Sequence, residues 1–371
     1  MRRLFSLALL AAAVFGTDAE AAVRVYRPAD PAQVVLKIEK LRAASVVDGN
    51  DPGALVRQVD ALVDAGARSG NERYYGYAEQ VLQSARDVHD PEIAIRRARL
   101  LQHKHEFAEA ERVLGEILQL NARDREARLM RAQVRLHLHE PQQALADCTT
   151  LLPLVDLLTS TTCIAQARAA QGDLQRAQTL LLGVLDFQRG DAATRSWSAG
   201  VAAEFAARLG DTNAAGRWYR EAFELDQRSH YARITYADWL LSAGRFDEAL
   251  QVARRGQSLA DRARIVLAGR DAGSVEAQRL QLAWQEADAR GERGHLRDRA
   301  RFELMLLHDP AKASASARAS LQDRNEADDA LILASAAAST RDRQSLQAVR
   351  AWQQRYRYED VRLESLLGAM R

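Results

Sequence analysis

The sequence predicts an all-α protein, an α-solenoid of stacked antiparallel helical hairpins. Two observations predict this fold. The chain of 371 residues is rich in alanine and leucine and contains only 20 glycines and 7 prolines, a composition that favours helices because glycine and proline break them. Small residues also recur with a period of about 34 residues, which is typical of stacked two-helix units.

Two matched series of alanines define the repeat. The second series follows the first at a constant offset, and both advance in the same steps of 34, 33, 38 and 34. They are Ala98, Ala132, Ala165, Ala203 and Ala237, and then Ala110, Ala144, Ala177, Ala215 and Ala249. A small residue on each helix lets the two helices of a hairpin approach closely. Between them, Gly172, Gly210 and Gly244 mark turns, where glycine adopts the left-handed conformation that ends a helix.

These residues resemble the tetratricopeptide repeat family. Its units carry a small residue early in the first helix, glycine at the turn, an aromatic residue two places later and alanine early in the second helix. The clearest matches are 236–256, YADWLLSAGRFDEALQVARRG, and 202–226, AAEFAARLGDTNAAGRWYREAFELD. The resemblance is strongest over 91–263. It implies a right-handed superhelix of about nine such units, with the first helix of each unit on the concave inner face.

The period divides the chain into segments. The predicted segments are a signal peptide at 1–21, an N-terminal segment with a helix at 22–51, a degenerate hairpin with a widened turn at 52–90, a repeat array at 91–263 with units near 91–124, 125–157, 158–195, 196–229 and 230–263, and a degenerate region at 264–371. In that last region hairpins fit about 262–294, 295–326 and 327–358, and a capping helix fits about 359–370. Terminal units are expected to be atypical because each covers an open end of the solenoid.

The N-terminus has the pattern of a cleavable secretory signal. Arg2 and Arg3 precede an apolar stretch at 4–16, and Ala19-Glu20-Ala21 supplies the small residues for cleavage after Ala21. The apolar stretch is too short for an ordinary membrane span, and no second candidate follows it. We therefore expect an exported protein, most simply a periplasmic one, with no membrane span in the mature chain.

The two cysteines have two interpretations. In an oxidising compartment Cys148 and Cys163 can form a disulfide that closes the short loop between them. Alternatively both are small buried hydrophobes, since free cysteine packs well in a core. The disulfide is the favoured interpretation, and a count of free thiols distinguishes the two.

Charge and motifs restrict the function. The 52 basic and 50 acidic residues nearly cancel, which suggests no nucleic-acid partner and no membrane-surface role. The sequence contains no nucleophile elbow, no phosphate-binding glycine loop and no His-Glu-x-x-His zinc motif. We therefore expect no enzymatic activity and no cofactor.

Half of the eight histidines lie in two His-x-His-Glu pairs spaced by the repeat. His105 and His139 occupy the turn position where later repeats carry glycine, so we interpret them as helix-ending residues. His103 and His137 lie two places earlier, at the inner face of the first helix. Two histidines make an incomplete metal site, since zinc normally has at least three protein ligands. They are weak candidate metal ligands, and a groove-lining or solvated role is favoured.

The same inner-face places can be read along the array, and the resemblance implies that they contact a ligand. They are Arg96, Arg99, His103, Met130, Gln133, His137, Gln166, Trp197, Glu204, Arg208, Tyr231 and Asp238. The groove is predicted to be basic at its early end and more acidic at its later end. It lacks the lysine–asparagine clamp with which some relatives hold a carboxylate.

The leading hypothesis from the sequence is a non-enzymatic periplasmic scaffold that binds a protein or peptide partner in its concave groove. The architecture supports this hypothesis, because stacked hairpins create an extended groove that can bind a partner. The alternative is a metal-binding or small-ligand-binding protein that uses His103 and His137. The identity of the partner and the oligomeric state stay open at this point.

Overall fold

The computed structural model describes residues 51–69, 73–85, 90–187 and 191–368. The predicted signal peptide and nearly all of the N-terminal segment lie outside the described residues, as does the very end of the chain. Within them the structure has nineteen helices and no strand. The helices are α1 Pro52–Ser69, α2 Arg73–Gln83, α3 Pro91–His103, α4 Phe107–Leu120, α5 Arg125–His137, α6 Pro141–Thr150, α7 Leu157–Ala169, α8 Leu174–Leu185, α9 Ala192–Arg208, α10 Thr212–Leu225, α11 His230–Ser242, α12 Phe246–Ala253, α13 Leu259–Gly269, α14 Val275–Ala289, α15 Leu296–Met305, α16 Pro310–Arg324, α17 Ala327–Thr340, α18 Arg343–Tyr356 and α19 Val361–Gly368.

Consecutive helices pack in pairs, so that α1 with α2 forms hairpin 1 and α17 with α18 forms hairpin 9. The single helix α19 follows and packs on α17. The described residues thus hold nine hairpins and a closing helix, and the predicted all-α solenoid is confirmed.

The two alanine series lie where helices meet. All ten alanines, from Ala98 to Ala249, are 0% exposed. A larger side chain at these places has no free volume, because protein interiors are close-packed. The repeat in the sequence is therefore a packing constraint, repeated once on each helix of five successive hairpins.

The first helix of each central hairpin begins at a side-chain cap. The carboxylates of Asp90, Asp124, Asp156 and Asp191 and the hydroxyl of Ser229 accept hydrogen bonds from backbone N–H groups in the first turn. These N–H groups have no partner inside the helix, and the negative caps also suit the helix dipole. This regular start sets the register of each hairpin.

In hairpins 2 to 6, the first helix is followed by a residue with a left-handed backbone. Gly172, Gly210 and Gly244 have φ angles of 82°, 84° and 71°. His105 and His139 adopt the same conformation, with φ of 59° and 58°. The interpretation of these two histidines as helix-ending residues in place of glycine is confirmed. A residue with a Cβ is strained there, so contacts of the imidazoles must offset the strain.

Two local features differ from the prediction. The widened turn predicted in the first hairpin is largely helical, since α1 continues to Ser69 and α2 begins at Arg73. The fifth hairpin starts earlier than the unit 196–229, because Asp191 caps α9 and its first helical residue is Ala192. The longer step from Ala165 to Ala203 reflects a longer first helix, because α9 has 17 residues whereas α7 and α11 have 13.

The first helices of neighbouring hairpins pack against one another along the whole array. This series of contacts runs without interruption from α1 with α3 to α17 with α19. In the described part of the chain no comparable contact joins two second helices. Elements that touch lie on the smaller radius of a curved array, so the first helices form the inner face.

Candidate functional site

The early end of the inner face is held by ion pairs. Arg96 and Arg99 both contact Asp60 of hairpin 1, with closest N···O distances of 3.2 and 3.3 Å. Arg99 also bonds Glu126 of hairpin 3 at 3.0 Å. The two arginines join hairpins 1, 2 and 3. The groove is predicted to be basic at this early end, and the structure adds that acidic neighbours pair with both guanidinium groups, which are largely buried.

The next predicted residues divide between the core and the inner face. Met130 is 1% exposed and lies in the hydrophobic core, so its prediction as a groove residue is wrong. Gln133 donates from its side chain to the side-chain oxygen of Gln166 at 3.2 Å, which links α5 to α7. Trp197 is half-buried and packs against the cores on both sides of it.

His103 and His137 each stack on an aromatic ring. His103 lies against Tyr75 with ring centroids 5.0 Å apart, and its Nε2 is buried without a hydrogen-bond partner. His137 lies against Phe107 at 4.6 Å. Among the described residues no group of three or more histidines, cysteines or carboxylates is arranged to hold a metal ion. The stacked pairs bind the turn regions of hairpins 1, 2 and 3 to one another.

All four histidines have pKa values below the ordinary histidine value. Burial, with Arg99 nearby, lowers the pKa of His103 to about 4. Burial and Arg324 lower the pKa of His105 to about 4. Burial also lowers the pKa of His137 and of His139, although Glu326 opposes the shift at both. The four imidazoles are therefore neutral at pH 7.

The middle of the inner face contacts the C-terminal region. Arg208 is 4% exposed, bonds Glu204 at 3.3 Å and donates from Nε to the backbone oxygen of Glu359 at 3.0 Å. Its guanidinium also lies over the ring of Tyr358, 4.1 Å from the centroid. Arg208 is thus bound within the chain and is not free for a partner in this form.

The acidic part of the inner face is also paired. Burial and the nearby carboxylates of Glu204 and Asp328 raise the pKa of Tyr231 well above the ordinary tyrosine value. Asp238 accepts from Arg264 at 2.8 Å and from Arg301 at 2.7 Å. Burial alone would raise the pKa of Asp238, but the two arginines lower it. Acidic side chains lie here, and arginines of later hairpins neutralise part of their charge.

The sequence prediction missed a set of residues at and just after the end of hairpin 9. The side chain of Glu359 accepts a hydrogen bond from the backbone N–H of Leu174 at 2.7 Å, across 185 residues. Tyr356 stacks on His139 with centroids 3.7 Å apart. Arg357 lies beside Gly172, and Val361 lies beside Gly210. We call this set the closure contact: residues 356–361 on the turns that end α5, α7 and α9.

A disulfide joins hairpins 3 and 4. Cys148 of α6 and Cys163 of α7 are both 0% exposed, with Cα atoms 5.4 Å apart. No helix in the described part of the chain is long and apolar enough to cross a membrane.

Comparison with known proteins gives likenesses of fold only. No protein-family model and no curated protein matches the chain. The structure of the APC/C hetero-tetramer Cut9–Hcn1 aligns with 81% of this chain at 13% identity and a TM-score of 0.41. This chain spans about half of that one, 52%.

Two further solved structures align with most of the chain. A tetratricopeptide repeat protein from Parabacteroides merdae aligns with 75% of this chain and 96% of its own, at 12% identity and a TM-score of 0.38. The human IFIT1 dimer with m7Gppp-AAAA aligns with 91% of this chain and 85% of its own, at 12% identity and a TM-score of 0.45. At these identities and scores the likenesses carry no argument about what this chain binds.

Proposed function

We propose that this protein is an exported, non-enzymatic scaffold that binds a protein or peptide partner on the inner face of its solenoid. The observation that carries the proposal is the unbroken stack of first helices from α1 to α17. Such a stack presents side chains of successive hairpins to one extended ligand, which is how repeat arrays form binding surfaces.

The Gln133–Gln166 pair shows how the inner face could hold a peptide. Both side chains lie on neighbouring first helices, are only partly buried and bond mainly to each other. An amide side chain carries both donors and acceptors, so the pair can exchange its mutual bond for bonds to a peptide backbone at little net cost.

The alternative of a metal-binding protein has less support. The rings of His103 and His137 are each engaged by an aromatic neighbour, and the described residues supply no third ligand. The periplasmic location is supported by the signal pattern of residues 1–21 and by the disulfide, which persists in oxidising compartments.

Site-specific photocrosslinking tests the proposal. A photoreactive amino acid is placed at Gln133 or Gln166 on the inner face, and at Gln142 or Gln251 on exposed faces of second helices as matched controls. The expected result is one discrete crosslinked protein from both inner positions and none from the controls. Crosslinks from the control positions alone would contradict binding on the inner face.

A further inference from the structure

The closing segment, residues 356–361, lies along three successive hairpins. Its contacts advance one hairpin at a time, from the turn of hairpin 3 to those of hairpins 4 and 5. The residues in contact are Tyr356 with His139, Arg357 with Gly172 and Val361 with Gly210. Residues 358–360 are neither helix nor strand. An extended ligand of a repeat array likewise places successive residues on successive repeats. We call the arrangement with the segment on these turns the closed form.

Glu359 shows one kind of group that this surface accepts. Its carboxylate lies at the N-terminus of α8 and accepts a hydrogen bond from the backbone N–H of Leu174 at 2.7 Å. Asp173, which precedes α8, makes no capping bond with its own side chain. A carboxylate at this place satisfies an N–H group that has no partner inside the helix, and it suits the positive end of the helix dipole. The surface therefore favours an acidic side chain.

Arg208 adds a second requirement. Its guanidinium lies over the ring of Tyr358, 4.1 Å from the centroid, and its Nε donates to the backbone oxygen of Glu359 at 3.0 Å. The side chain is 4% exposed, yet its Nη2 has no hydrogen-bond partner among the described residues. A buried donor without a partner costs free energy, so the closing segment does not fully satisfy Arg208. A carboxylate in place of the backbone oxygen would pair with both Nε and Nη2.

The closing segment is held by few contacts. In the described part of the chain, all extensive helix packing is within one hairpin or between neighbouring hairpins, so none of it joins hairpin 9 to hairpins 3, 4 and 5. Glu359 is exposed and Val361 is 42% exposed, although both touch the turns. Contacts of this kind can separate while each hairpin stays folded.

The row of turns continues beyond the closing segment. Gly244 of hairpin 6 has a left-handed backbone with φ of 71°, like Gly172 and Gly210. A Cβ at Gly172 would lie 3.2 Å from the Cβ of Arg357. A Cβ at Gly210 would lie 3.1 Å from Cγ2 of Val361. No described atom outside the neighbouring chain lies within 4 Å of a Cβ at Gly244, so this turn is open to a longer ligand.

We propose that the turns of hairpins 3, 4 and 5 bind an acidic segment of the partner, with an aromatic residue next to its carboxylate, and that the closing segment occupies this surface when the partner is absent. The partner displaces the closing segment because its carboxylate pairs with the Nη2 of Arg208. This inference rests on the proposed function for the existence of a protein partner, but its surface is separate from the Gln133–Gln166 pair.

Peptide binding tests the proposal. The probe is a fluorescein-labelled peptide of residues 355–361, Arg-Tyr-Arg-Tyr-Glu-Asp-Val, and the control probe carries Tyr358→Ala and Glu359→Gln. Fluorescence anisotropy measures the binding of both to the wild type and to an opened variant, Glu359→Ala with Val361→Ser. The tethered segment competes with the probe in the wild type. The opened variant lacks one charge-assisted hydrogen bond of that segment, so it should bind the probe about tenfold more tightly.

A matched pair of substitutions locates the site. Gly172→Asn and Gly244→Asn are each added to the opened variant, because asparagine tolerates a left-handed backbone, as Asn325 shows with φ of 57°. Gly172→Asn should abolish binding of the probe, since the new side chain fills the place of Arg357. Gly244→Asn should leave binding unchanged, since the probe ends at hairpin 5. Circular dichroism checks that both variants are folded.

A distance measurement follows the displacement without any change in the closing segment. Nitroxide labels are attached to cysteines introduced by Gln175→Cys in α8 and Gln354→Cys in α18, both exposed. The two native cysteines are in the disulfide. Pulsed electron resonance should show a short distance that excess probe lengthens and the control probe does not.

Three results would overturn the proposal. They are no binding of the probe by the opened variant, equal binding of the two probes, and a label distance that excess probe leaves unchanged. It is also overturned if light scattering shows a wild-type dimer that the probe dissociates, since a second copy would then be the occupant. Crosslinks from Gln133 and Gln166 do not depend on these results, so the proposed function and this inference fail separately.

Discussion

The ring of Tyr356 lies against the imidazole of His139 with centroids 3.7 Å apart, although the two residues belong to hairpins 9 and 3. The hydroxyl of Tyr356 also accepts a hydrogen bond from the side chain of Asn325 at 2.9 Å. The aromatic contact therefore stabilises His139, whose left-handed backbone is strained.

Tyr356→Ala should therefore destabilise the closed form. Loss of the stacked ring and of its packing against Trp352 should lower the free energy of unfolding by about 2 kcal/mol. Tyr356→Phe is the matched control, because it removes only the hydrogen bond from Asn325 and should cost about 1 kcal/mol. Urea denaturation at pH 7.5 measures both. Equal midpoints for Tyr356→Ala and the wild type would show that the contact contributes nothing.

Local sequence could predict the hairpins but not the closure. Ala98 and Ala110 recur at fixed steps because each must fit the same crossing in each hairpin. His139 could be identified as a helix end because it occupies the place of glycine. The same turn position meets Arg357 at Gly172 and Val361 at Gly210, so the partner residue differs at each repeat and no periodic signal marks the contact with Tyr356. Such a contact depends on the accumulated curvature of several hairpins.

The ion pairs show a second limit of prediction from the sequence. Arg96 and Arg99 stand at inner-face places, and their charge predicted a basic groove. Nothing in their spacing reveals that Asp60, one repeat earlier, lies against both guanidinium groups. Burial is equally hard to predict. The sequence assigns Met130 to the groove, but neighbouring positions on a helix face different directions, and its side chain lies in the core.

Asp147→Asn should destabilise hairpin 3. Asp147 is 2% exposed and accepts hydrogen bonds from Arg128, Arg131 and Arg135, the closest at 2.7 Å. A neutral amide would leave partly buried arginines without their counter-charge, at a cost of about 3 kcal/mol. Urea denaturation measures this change in the free energy of unfolding.

Glu116→Gln is the matched control for Asp147→Asn. Glu116 pairs with Arg112 on an exposed helix surface, and such pairs contribute less than about 0.5 kcal/mol. If the two variants lost a similar free energy of unfolding, the pairing of Asp147 with its three arginines would contribute no more than an exposed ion pair.

Export should depend on residues 1–21. We expect the mature protein to begin at Ala22 and to be found in the periplasmic fraction, because Ala19 and Ala21 provide the small residues for cleavage. Ala21→Tyr should leave the precursor uncleaved, whereas Ala13→Leu within the apolar stretch should be cleaved normally. N-terminal sequencing of the fractionated protein checks this. An unprocessed wild-type chain in the cytoplasm would rule out the signal.

The disulfide links that export to stability. Cys148 and Cys163 are separated by 15 residues in sequence, so the bond should add about 3 kcal/mol to the free energy of unfolding. Reduction should lower the urea midpoint of the wild type and leave a variant with both cysteines changed to alanine unaffected. The same chain without residues 2–21, produced in a reducing cytoplasm, should contain two free thiols and unfold like the reduced protein. Two free thiols in the exported protein, counted under denaturing and non-reducing conditions, would show instead that the cysteines are simply buried hydrophobes.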